Sequence, residues 1–458
     1  MKMHRFAPPV AAVLVGMVLS VLFVGCASTE VRAARSGDLE GLEEYLAEGG
    51  DIDAQHRRGR TLLVEAAAAG RYDSVRFLLD RGANPHIADS QGRTALTHAA
   101  GGGYTEVARV LIAGGAEINA ADQGGSTALM LAAENGRRGV FQLLLENGAE
   151  VDARDNQDRS ALSRAVHAGR AEFVEPLAEA GADPKERDRY GKTLLMVAAE
   201  RDHDIVVREL LAAGAEFDAE AHDGSTAMYY AMRASAARPS GVSSSARRLL
   251  EAGASIPADA RLGGAILFTA IENGNRDVAS EMLYRGVETG ITDDDGETPL
   301  TAAVHRTEVL EVLLDHGLDP NVTNRRRATP LLVAVKNGRS ESAGRLLAAG
   351  ANPRVTDQDG VSALMWAAGG TDPELVRRLL LADASIWDRD RYSNTVLRYA
   401  AESGSSEVIR VLLTAGADLG STNGAGKQPI DTAVEHNRPS EIIEALVSAG
   451  ATPPTEGE

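Results

Sequence analysis

The chain has 458 residues, 66 acidic and 47 basic, and a formal net charge of −19. Its 44% hydrophobic and 25% charged residues are typical of a folded protein, although aromatic residues make up only 4%, so packing must rely on small side chains. A charge this negative repels nucleic acid and anionic lipid surfaces. We therefore expect no binding to DNA or RNA.

Residues 1–25 have the features of a signal peptide. Lys2 and Arg5 form a basic start, and the stretch from Val10 to Gly25 is nearly all apolar. A stretch of this length is short for a membrane span and usual for the apolar part of a signal peptide. The sequence therefore predicts that residues 1–25 form a targeting segment.

The only cysteine, Cys26, ends the sequence Phe23-Val24-Gly25-Cys26. This stretch resembles the lipobox of bacterial lipoproteins, although the family usually has Leu where Phe23 stands. The resemblance implies lipidation of Cys26, and Ala27 after it favours the outer membrane by the family's rules. The alternatives are a plain secretory signal and an uncleaved anchor helix in which the cysteine is incidental.

After this segment the chain follows a period of 33 residues, for example from Gly59 to Gly92 and from Gly92 to Gly125. Thirteen units result, twelve recognisable and one degenerate at the front. The units start at Cys26, Gly59, Gly92, Gly125, Asp158, Gly191, Gly224, Gly263, Gly296, Arg327, Gly360, Ser393 and Gly426. Self-similarity at such a period is the signature of a stacked repeat protein.

Each unit predicts two short helices followed by an extended turn. A hydroxyl such as that of Thr61 can accept a backbone hydrogen bond and start the first helix, and a glycine such as Gly103 ends it. The second helix ends at a glycine such as Gly82, in the left-handed conformation. Asp383 stands at the Gly82 position in one unit and is expected to adopt the same conformation.

The Gly-x-Thr-x-Leu opening, the Ala pair, the Leu pair and the Gly-Ala ending together resemble the ankyrin repeat. The family's full Thr-Pro-Leu occurs only at residues 298–300 and 329–331. The resemblance implies an all-α repeat solenoid of about thirteen ankyrin repeats over residues 26–458, with a short C-terminal tail at residues 452–458.

Two irregularities interrupt the period. Six extra residues lie within residues 233–248, which we expect to form an insertion loop between two helices of one unit, and two residues are missing within residues 302–312. Stacked repeats tolerate such changes because the contacts between layers are untouched. Each irregularity is a candidate for a bend, a weak point or a partner-specific protrusion.

No catalytic, cofactor or metal site is expected. The ten histidines are scattered and no further cysteine is present, so a zinc site is not predicted. The stretch at residues 422–428 lacks the first glycine and the hydroxyl of a P-loop. The acidic run at residues 293–295 lacks the bidentate glutamate of a calcium loop. We predict a protein that is not an enzyme and has no small-molecule substrate.

In the ankyrin family, partner proteins contact the turn tips and the inner helix face. Exposed Tyr and Arg are enriched at interface hot spots. On this basis the predicted partner-binding residues are Arg189, Tyr190, Tyr229, Arg325, Arg326, Arg391 and Tyr392. Three other aromatic residues, Tyr230, Trp366 and Tyr399, are expected to pack between repeats instead.

The expected function is that of a membrane-anchored scaffold that mediates protein–protein interactions in the bacterial cell envelope. One alternative is a secreted ankyrin-repeat protein that binds host or neighbouring-cell proteins. A second alternative, an enzyme or an enzyme-associated regulator, would need a domain for which the repeats leave no room.

Overall fold

The computed structural model describes residues 28–452, in which the regular secondary structure is helical apart from two isolated antiparallel bridges. Two compact units are present. The first unit contains the residues up to Ala198 and Arg208–Glu216, and the second contains Ala199–Val207 and the residues from Phe217 onward.

Thirteen pairs of helices occupy the described residues, in agreement with the thirteen units of the sequence. The first helices of the pairs are Thr29–Ser36, Leu62–Ala68, Ala95–Gly102, Ala128–Glu134, Ala161–His167, Leu194–Glu200, Ala227–Ala236, Leu262–Asn273, Pro299–Ala302, Pro330–Lys336, Ala363–Ala368, Val396–Ser403 and Pro429–Glu435. The second helices are Leu39–Ala47, Tyr72–Asp80, Thr105–Ala113, Arg138–Glu146, Val174–Glu179, Asp204–Ala212, Ser244–Glu251, Arg276–Tyr284, Thr307–Asp315, Ser340–Ala348, Pro373–Leu381, Ser406–Thr414 and Ser440–Ser448. Short 3-10 turns lie at Arg57–Gly59, Ala171–Phe173 and Ala303–His305.

The helix ends follow the predicted chemistry. Thr61 Oγ1 accepts a hydrogen bond from Val64 N at 3.3 Å, which satisfies one free donor at the start of the helix. Gly103 ends a first helix with φ 83°, and Gly82 follows a second helix with φ 88°. Asp383 has φ 67°, so the expectation that it adopts the left-handed conformation is confirmed.

Within each compact unit, helix pairs bury their apolar faces against neighbouring pairs. In the second repeat, Leu63, Ala66 and Ala67 of the first helix and Val75 and Leu78 of the second helix are almost fully buried. First helices contact first helices, and second helices contact second helices. Since full burial of a Leu or Val contributes roughly 1.5–3 kcal/mol, most of this stabilisation depends on having a neighbour.

In most repeats the extended turn forms a hairpin tip that is closed by an Asp or Asn side chain. Asp89 Oδ1 accepts hydrogen bonds from the backbone N–H groups of Gln91 and Arg93, at 2.9 and 3.0 Å. Gly92 has φ 77° there, and a Cβ atom at this glycine would lie 2.7 Å from Gln123 N. Several pairs of consecutive tips are joined by a backbone hydrogen bond, such as that from Gln123 N to Gln91 O at 2.9 Å.

The extra residues at 233–248 are mostly helical rather than a long loop. The first helix of this repeat continues to Ala236 and the second begins at Ser244, so that only residues 237–243 connect them. The fully buried amide of Asn275 donates to Ser235 O at 2.8 Å and to Gly241 O at 3.1 Å, which fixes the connection. The insertion is therefore tied to the next repeat.

The two missing residues shorten the connection between the two helices of their repeat. The first helix Pro299–Ala302 is short, and the 3-10 turn Ala303–His305 leads almost directly to the second helix at Thr307. Because a 3-10 turn rises more steeply per residue than an α-helix, it covers the same distance with fewer residues. The repeat therefore keeps both helices.

Candidate functional site

Three consecutive hairpin tips of the second unit bring predicted partner-binding residues together. Arg325 and Arg326 form one tip, and Arg391 and Tyr392 form another, with residues 358–359 between them. Gln358 Nε2 donates to Arg326 O at 3.4 Å, and Arg391 N donates to Asp359 O at 2.9 Å, so the three tips are neighbours. We call residues 325–326, 358–359 and 391–392 the tip row.

The two basic tips of the tip row differ in how their guanidinium groups are held. Arg391 lies 2.6 Å from an Asp359 oxygen, donates to the Tyr392 hydroxyl at 2.7 Å and stacks 4.8 Å from the Tyr392 ring centroid. Tyr392 remains 58% exposed. Arg325 and Arg326 are exposed, and within residues 28–452 neither side chain forms an ion pair. One tip is therefore preorganised and the other presents unneutralised positive charge.

The second predicted Arg-Tyr pair lies in the first unit. The Arg189 guanidinium is 5.0 Å from the centroid of the Tyr190 ring, and Tyr190 is 61% exposed. Asp188 Oδ1 closes this tip by accepting from Tyr190 N at 2.8 Å and from Lys192 N at 2.9 Å. This tip is exposed, as the sequence predicts, but it belongs to a different unit from the tip row.

The prediction that Tyr229 contacts partners is wrong, because its side chain is only 8% exposed. Tyr229 N donates to Thr226 Oγ1 at 3.3 Å in the first turn of the helix, and the ring packs edge-on against Tyr230 at 5.2 Å. Tyr229 occupies the repeat position that Met130 and Met365 hold in other repeats, where both are buried. This position points into the repeat.

An open cavity of about 680 Å³, which we call the groove, lies beside the tip row. Its tip side consists of residues 324, 326–328 and 357–359, and its helix side consists of residues 301–302, 332–333 and 336–337, with Glu297 and His305. Asn324 Nδ2 donates to a Glu297 oxygen at 2.8 Å. The groove is therefore lined by two consecutive repeats and contains both positive and negative groups.

Trp366 stands beside the groove, where it contacts the preceding repeat but is not buried as expected for a packing position between repeats. The side chain is 36% exposed, its Nε1 donates to Asp357 Oδ2 at 3.1 Å, and its ring centroid lies 4.5 Å from Lys336 Nζ. Lys336 Nζ also donates to Asp357 Oδ2, at 2.9 Å. An exposed indole and an ammonium group are thus held side by side by one carboxylate.

The ionised state of Asp357 favours this arrangement. Burial by itself would raise the pKa of its carboxyl group, but hydrogen bonds from Lys336, from the Val361 backbone and from Trp366 together hold the pKa below its ordinary value. Asp357 is therefore anionic at neutral pH. It retains both of its partners there.

A repeated pairing of the tip carboxylate with the residue nine positions later was not predicted from the sequence. Besides Asp357 with Trp366, the structure pairs Asp89 with His98 at 2.9 Å and Asp390 with the Tyr399 hydroxyl at 2.8 Å. Tyr399 is thus hydrogen-bonded as well as packed, whereas Tyr230 is half-buried against Tyr229. The sequence does contain a pattern that would have indicated this pairing. An Asp stands three residues before the start of a repeat, and a polar or aromatic residue stands nine positions after that Asp.

The most buried member of this pattern is the pair of Asp155 and Arg164 in the first unit. Arg164 is 6% exposed and donates to Asp155 Oδ2 from Nε at 3.0 Å and from Nη2 at 2.7 Å. It also reaches Glu134 at 3.0 Å and Ser126 Oγ at 2.8 Å in the preceding repeat. Burial opposes ionisation of Asp155, but the Arg159 backbone and the Arg164 and Arg159 side chains outweigh it and lower the pKa to about 2.

Comparison with known families agrees with the repeat architecture. The family described as Ankyrin repeats (3 copies) matches residues 31–122, 114–188, 162–260, 234–324, 267–357, 331–423 and 364–456. The chain belongs to the ankyrin repeat family. The prediction of an all-α ankyrin repeat solenoid is confirmed.

Individual relatives match shorter parts of this ankyrin repeat protein. It is 31% identical over 96 residues to the ankyrin repeat protein YahD of Escherichia coli (strain K12), a match that covers 19% of this chain and 48% of YahD. It is 33% identical over 76 residues to the human 2-5A-dependent ribonuclease, covering 16% of this chain and 10% of that enzyme. The chain therefore spans about half of the first relative and a tenth of the second.

Two solved ankyrin repeat domains are also similar. The human ASB11 ankyrin repeat domain shares 25% identity and covers 51% of this chain and 100% of its own, with a TM-score of 0.44. The ankyrin repeat domain of Bcl-3, a member of the IkappaB family, shares 27% identity and covers 44% of this chain and 92% of its own, with a TM-score of 0.41.

Membership of the ankyrin repeat family makes the chain a scaffold for protein–protein interaction, because stacked repeats present extended surfaces that bind protein partners. Within residues 28–452 no group of three or more His, Cys, Asp or Glu side chains is placed to hold a metal ion. In the same range no helix combines the length and the apolar character needed to cross a membrane. Cys26, the predicted lipidation site, lies outside the described residues.

Proposed function

We propose that this ankyrin repeat protein is a lipid-anchored scaffold of the bacterial cell envelope, which holds partner proteins at the tip row and the groove. The observation that carries the proposal is the tip row itself. Three neighbouring tips place Arg325, Arg326, Arg391 and Tyr392 on one exposed edge beside an open groove. Arg and Tyr side chains at such positions are the groups that dominate binding energy in protein interfaces.

The tip row is also rigid, which lowers the entropy cost of binding. Each tip is closed by two backbone hydrogen bonds to one side chain, as in Asp390 Oδ1 with the N–H groups of Tyr392 and Asn394, both at 2.8 Å. Arg391 is further held by Asp359. Because these groups are ordered before a partner arrives, less conformational freedom is lost on association.

The anchor is proposed from the sequence around Cys26. The Val24-Gly25-Cys26 ending after an apolar stretch supports lipidation, and Ala27 supports the outer membrane as the destination. Each buried CH₂ group of an acyl chain contributes about 0.8 kcal/mol, so that two or more chains hold a protein stably where one chain does not.

Metabolic labelling of the full chain with a fatty-acid analogue tests the anchor. Native protein should be labelled and should sediment with membranes, and Cys26→Ala should be unlabelled and released. Equal labelling of both proteins, or of neither, would contradict lipidation at Cys26. Unlabelled native protein in the culture medium would support the secreted alternative instead.

Affinity capture from envelope extract tests the scaffold. A variant with Ser at Arg325, Arg326, Arg391 and Tyr392 should lose co-purifying protein while its circular dichroism stays unchanged. The matched control carries Ser at Arg189 and Tyr190, in the first unit. Loss of capture in the control alone would move the partner site to that tip, and retention in both variants would contradict the proposal.

A further inference from the structure

We infer that the groove binds a short, extended, acidic segment of a partner protein, an inference that rests on the proposed scaffold function. The first observation is a run of three consecutive arginines at one tip, Arg325, Arg326 and Arg327, all exposed. Within residues 28–452 none of the three guanidinium groups has a hydrogen bond or an ion pair. Arg326 and Arg327 line the groove.

This run differs from two nearby arginines of the second unit, which are neutralised by acidic side chains. Arg391 pairs with Asp359 at 2.6 Å, and Arg345 pairs with Glu311 at 2.6 Å. The whole chain has 66 acidic residues for 47 basic ones, so a cluster of unpaired arginines is not expected from its composition. A tip that keeps three positive charges unpaired in such a chain is complementary to external carboxylates.

Arg327 adds a conformational argument. It occupies the first position of its repeat, where most repeats have glycine, and it takes the left-handed conformation with φ 60°. This conformation is unfavourable for a residue that carries a Cβ atom. Asp158 and Ser393 adopt the same conformation at the starts of other repeats, with φ 62° and 61°, and at Arg327 this conformation holds a long cationic side chain at the edge of the groove.

The opposite side of the groove suits an apolar side chain. Val333 is only partly buried there, and the exposed indole of Trp366 stands next to Lys336. In an extended peptide successive side chains point to opposite sides. Carboxylates on one side of the peptide can therefore reach the arginine tip while apolar side chains on the other side contact Trp366 and Val333.

The charge pattern favours a peptide over a nucleic acid. The groove also contains Glu297, Asp357 and Asp359, and the net charge of the chain is −19. A continuous phosphate backbone would face these carboxylates along its whole length, with little gain in released counterions. A peptide with a few carboxylates can place them only where the arginines are.

Fluorescence anisotropy of the full-length protein tests this inference. The probe is a fluorescein-labelled twelve-residue peptide made of six Glu-Leu units, which in an extended chain places every Glu on one side and every Leu on the other, compared with peptides in which Gln or Lys replaces every Glu. The Glu peptide should bind at least tenfold more tightly than the Gln peptide, the Lys peptide should not bind, and binding should weaken with added salt. In a Trp387→Phe background, the Glu peptide should also change the emission of Trp366.

Two variants with the same change in net charge locate the site. The groove variant carries Arg325→Gln, Arg326→Gln and Arg327→Gln. The matched control carries Arg233→Gln, Arg247→Gln and Arg276→Gln, three exposed arginines of the second unit that lie outside the groove. The groove variant should bind the Glu peptide at least tenfold more weakly, and the control should stay within twofold of the native protein.

Three results would overturn the inference: no binding of the Glu peptide at low salt, equal weakening in both variants, or equally tight binding of a single-stranded oligonucleotide of the same charge. These failures are distinct from failure of the scaffold proposal. A native protein that captures an envelope partner through the tip row but ignores the Glu peptide would keep its proposed function and lose only the acidic-segment inference.

Discussion

Replacing Asp155 by Asn should remove a charge from the most buried ion pair without opening its tip. Asp155 Oδ1 accepts from Gln157 N and Arg159 N, at 2.8 and 3.0 Å. Asn324 makes the same two bonds with its side-chain oxygen in another repeat, at 3.0 and 2.9 Å, so an amide can close the tip. The variant chiefly deprives the buried Arg164 guanidinium of the more buried of its two anions and leaves Glu134.

The pKa gives the size of the effect. A lowering of the Asp155 pKa from 3.8 to about 2 corresponds to roughly 2.5 kcal/mol of stability at neutral pH. Because the pKa is lower in the folded state than in the unfolded state, this contribution is fully present above about pH 4. It is lost as the pH falls through about 2. The native protein and Asp155→Asn should therefore differ at pH 7 and converge near pH 2.

Hydrogen exchange of the full-length protein, followed by mass spectrometry of peptides covering residues 155–167, measures this local stability. Asp122→Asn is the matched control, because Asp122 closes the preceding tip in the same way but faces the more exposed Arg93 at 3.4 Å. The control should lose less than about 1 kcal/mol, as expected for a solvent-accessible pair. Equal losses in the two variants, or a loss at Asp155 that does not change with pH, would refute the reasoning.

Three further predictions concern stability and order. Gly82→Val should cost roughly 1–2 kcal/mol in a urea titration, because φ is 88° and space for a Cβ atom is open there. Gly92→Val should cost more, since a Cβ atom would also meet the backbone of the next tip at 2.7 Å; equal midpoints would show that close approach is unimportant. Asn275→Ala should release residues 237–243, so that the backbone amides of this connection exchange hydrogen for deuterium faster than in the native protein, and unchanged exchange would contradict the role of the Asn275 amide.

The sequence was sufficient for the repeat framework because every framework position recurs thirteen times. Thr61 and its equivalents start helices, Gly82 and its equivalents end them, and even the exception at Asp383 follows from its conformational preference. Each of these roles depends on local backbone geometry, which a short stretch of sequence determines. The lipidation of Cys26 stays a prediction.

The face on which a first-helix side chain lies was harder to predict. Tyr229 and Tyr230 are adjacent, so their side chains differ by about 100° around the helix. Tyr229 was expected to face a partner, but it is the more deeply buried of the two. Trp366 was expected to be buried between repeats, but it is partly exposed. Tyr230 and Trp366 both stand six residues after the start of their repeats. The same position holds His98 and Arg164 in other repeats, and these polar residues indicate an interface that is not purely apolar.

The groove and the tip row could not be predicted as one site, because they depend on contacts between repeats. Lys336 and Trp366 are thirty residues apart, and they meet only because both reach Asp357. The period determines which positions are equivalent, but it does not determine which long side chains turn towards each other. Those choices depend on the individual residues of neighbouring repeats.

The two oxygens of the tip carboxylate have separate tasks, so the side chain that one oxygen contacts can differ from repeat to repeat. One oxygen of Asp89 or Asp357 holds the turn, while the other is left for whichever side chain stands nine residues later: His98 in one case and Trp366 in the other. A new recognition residue can therefore be installed without redesigning the hairpin that supports it. In this architecture the residue that contacts a partner can change in one repeat while the other carboxylate oxygen still closes the turn.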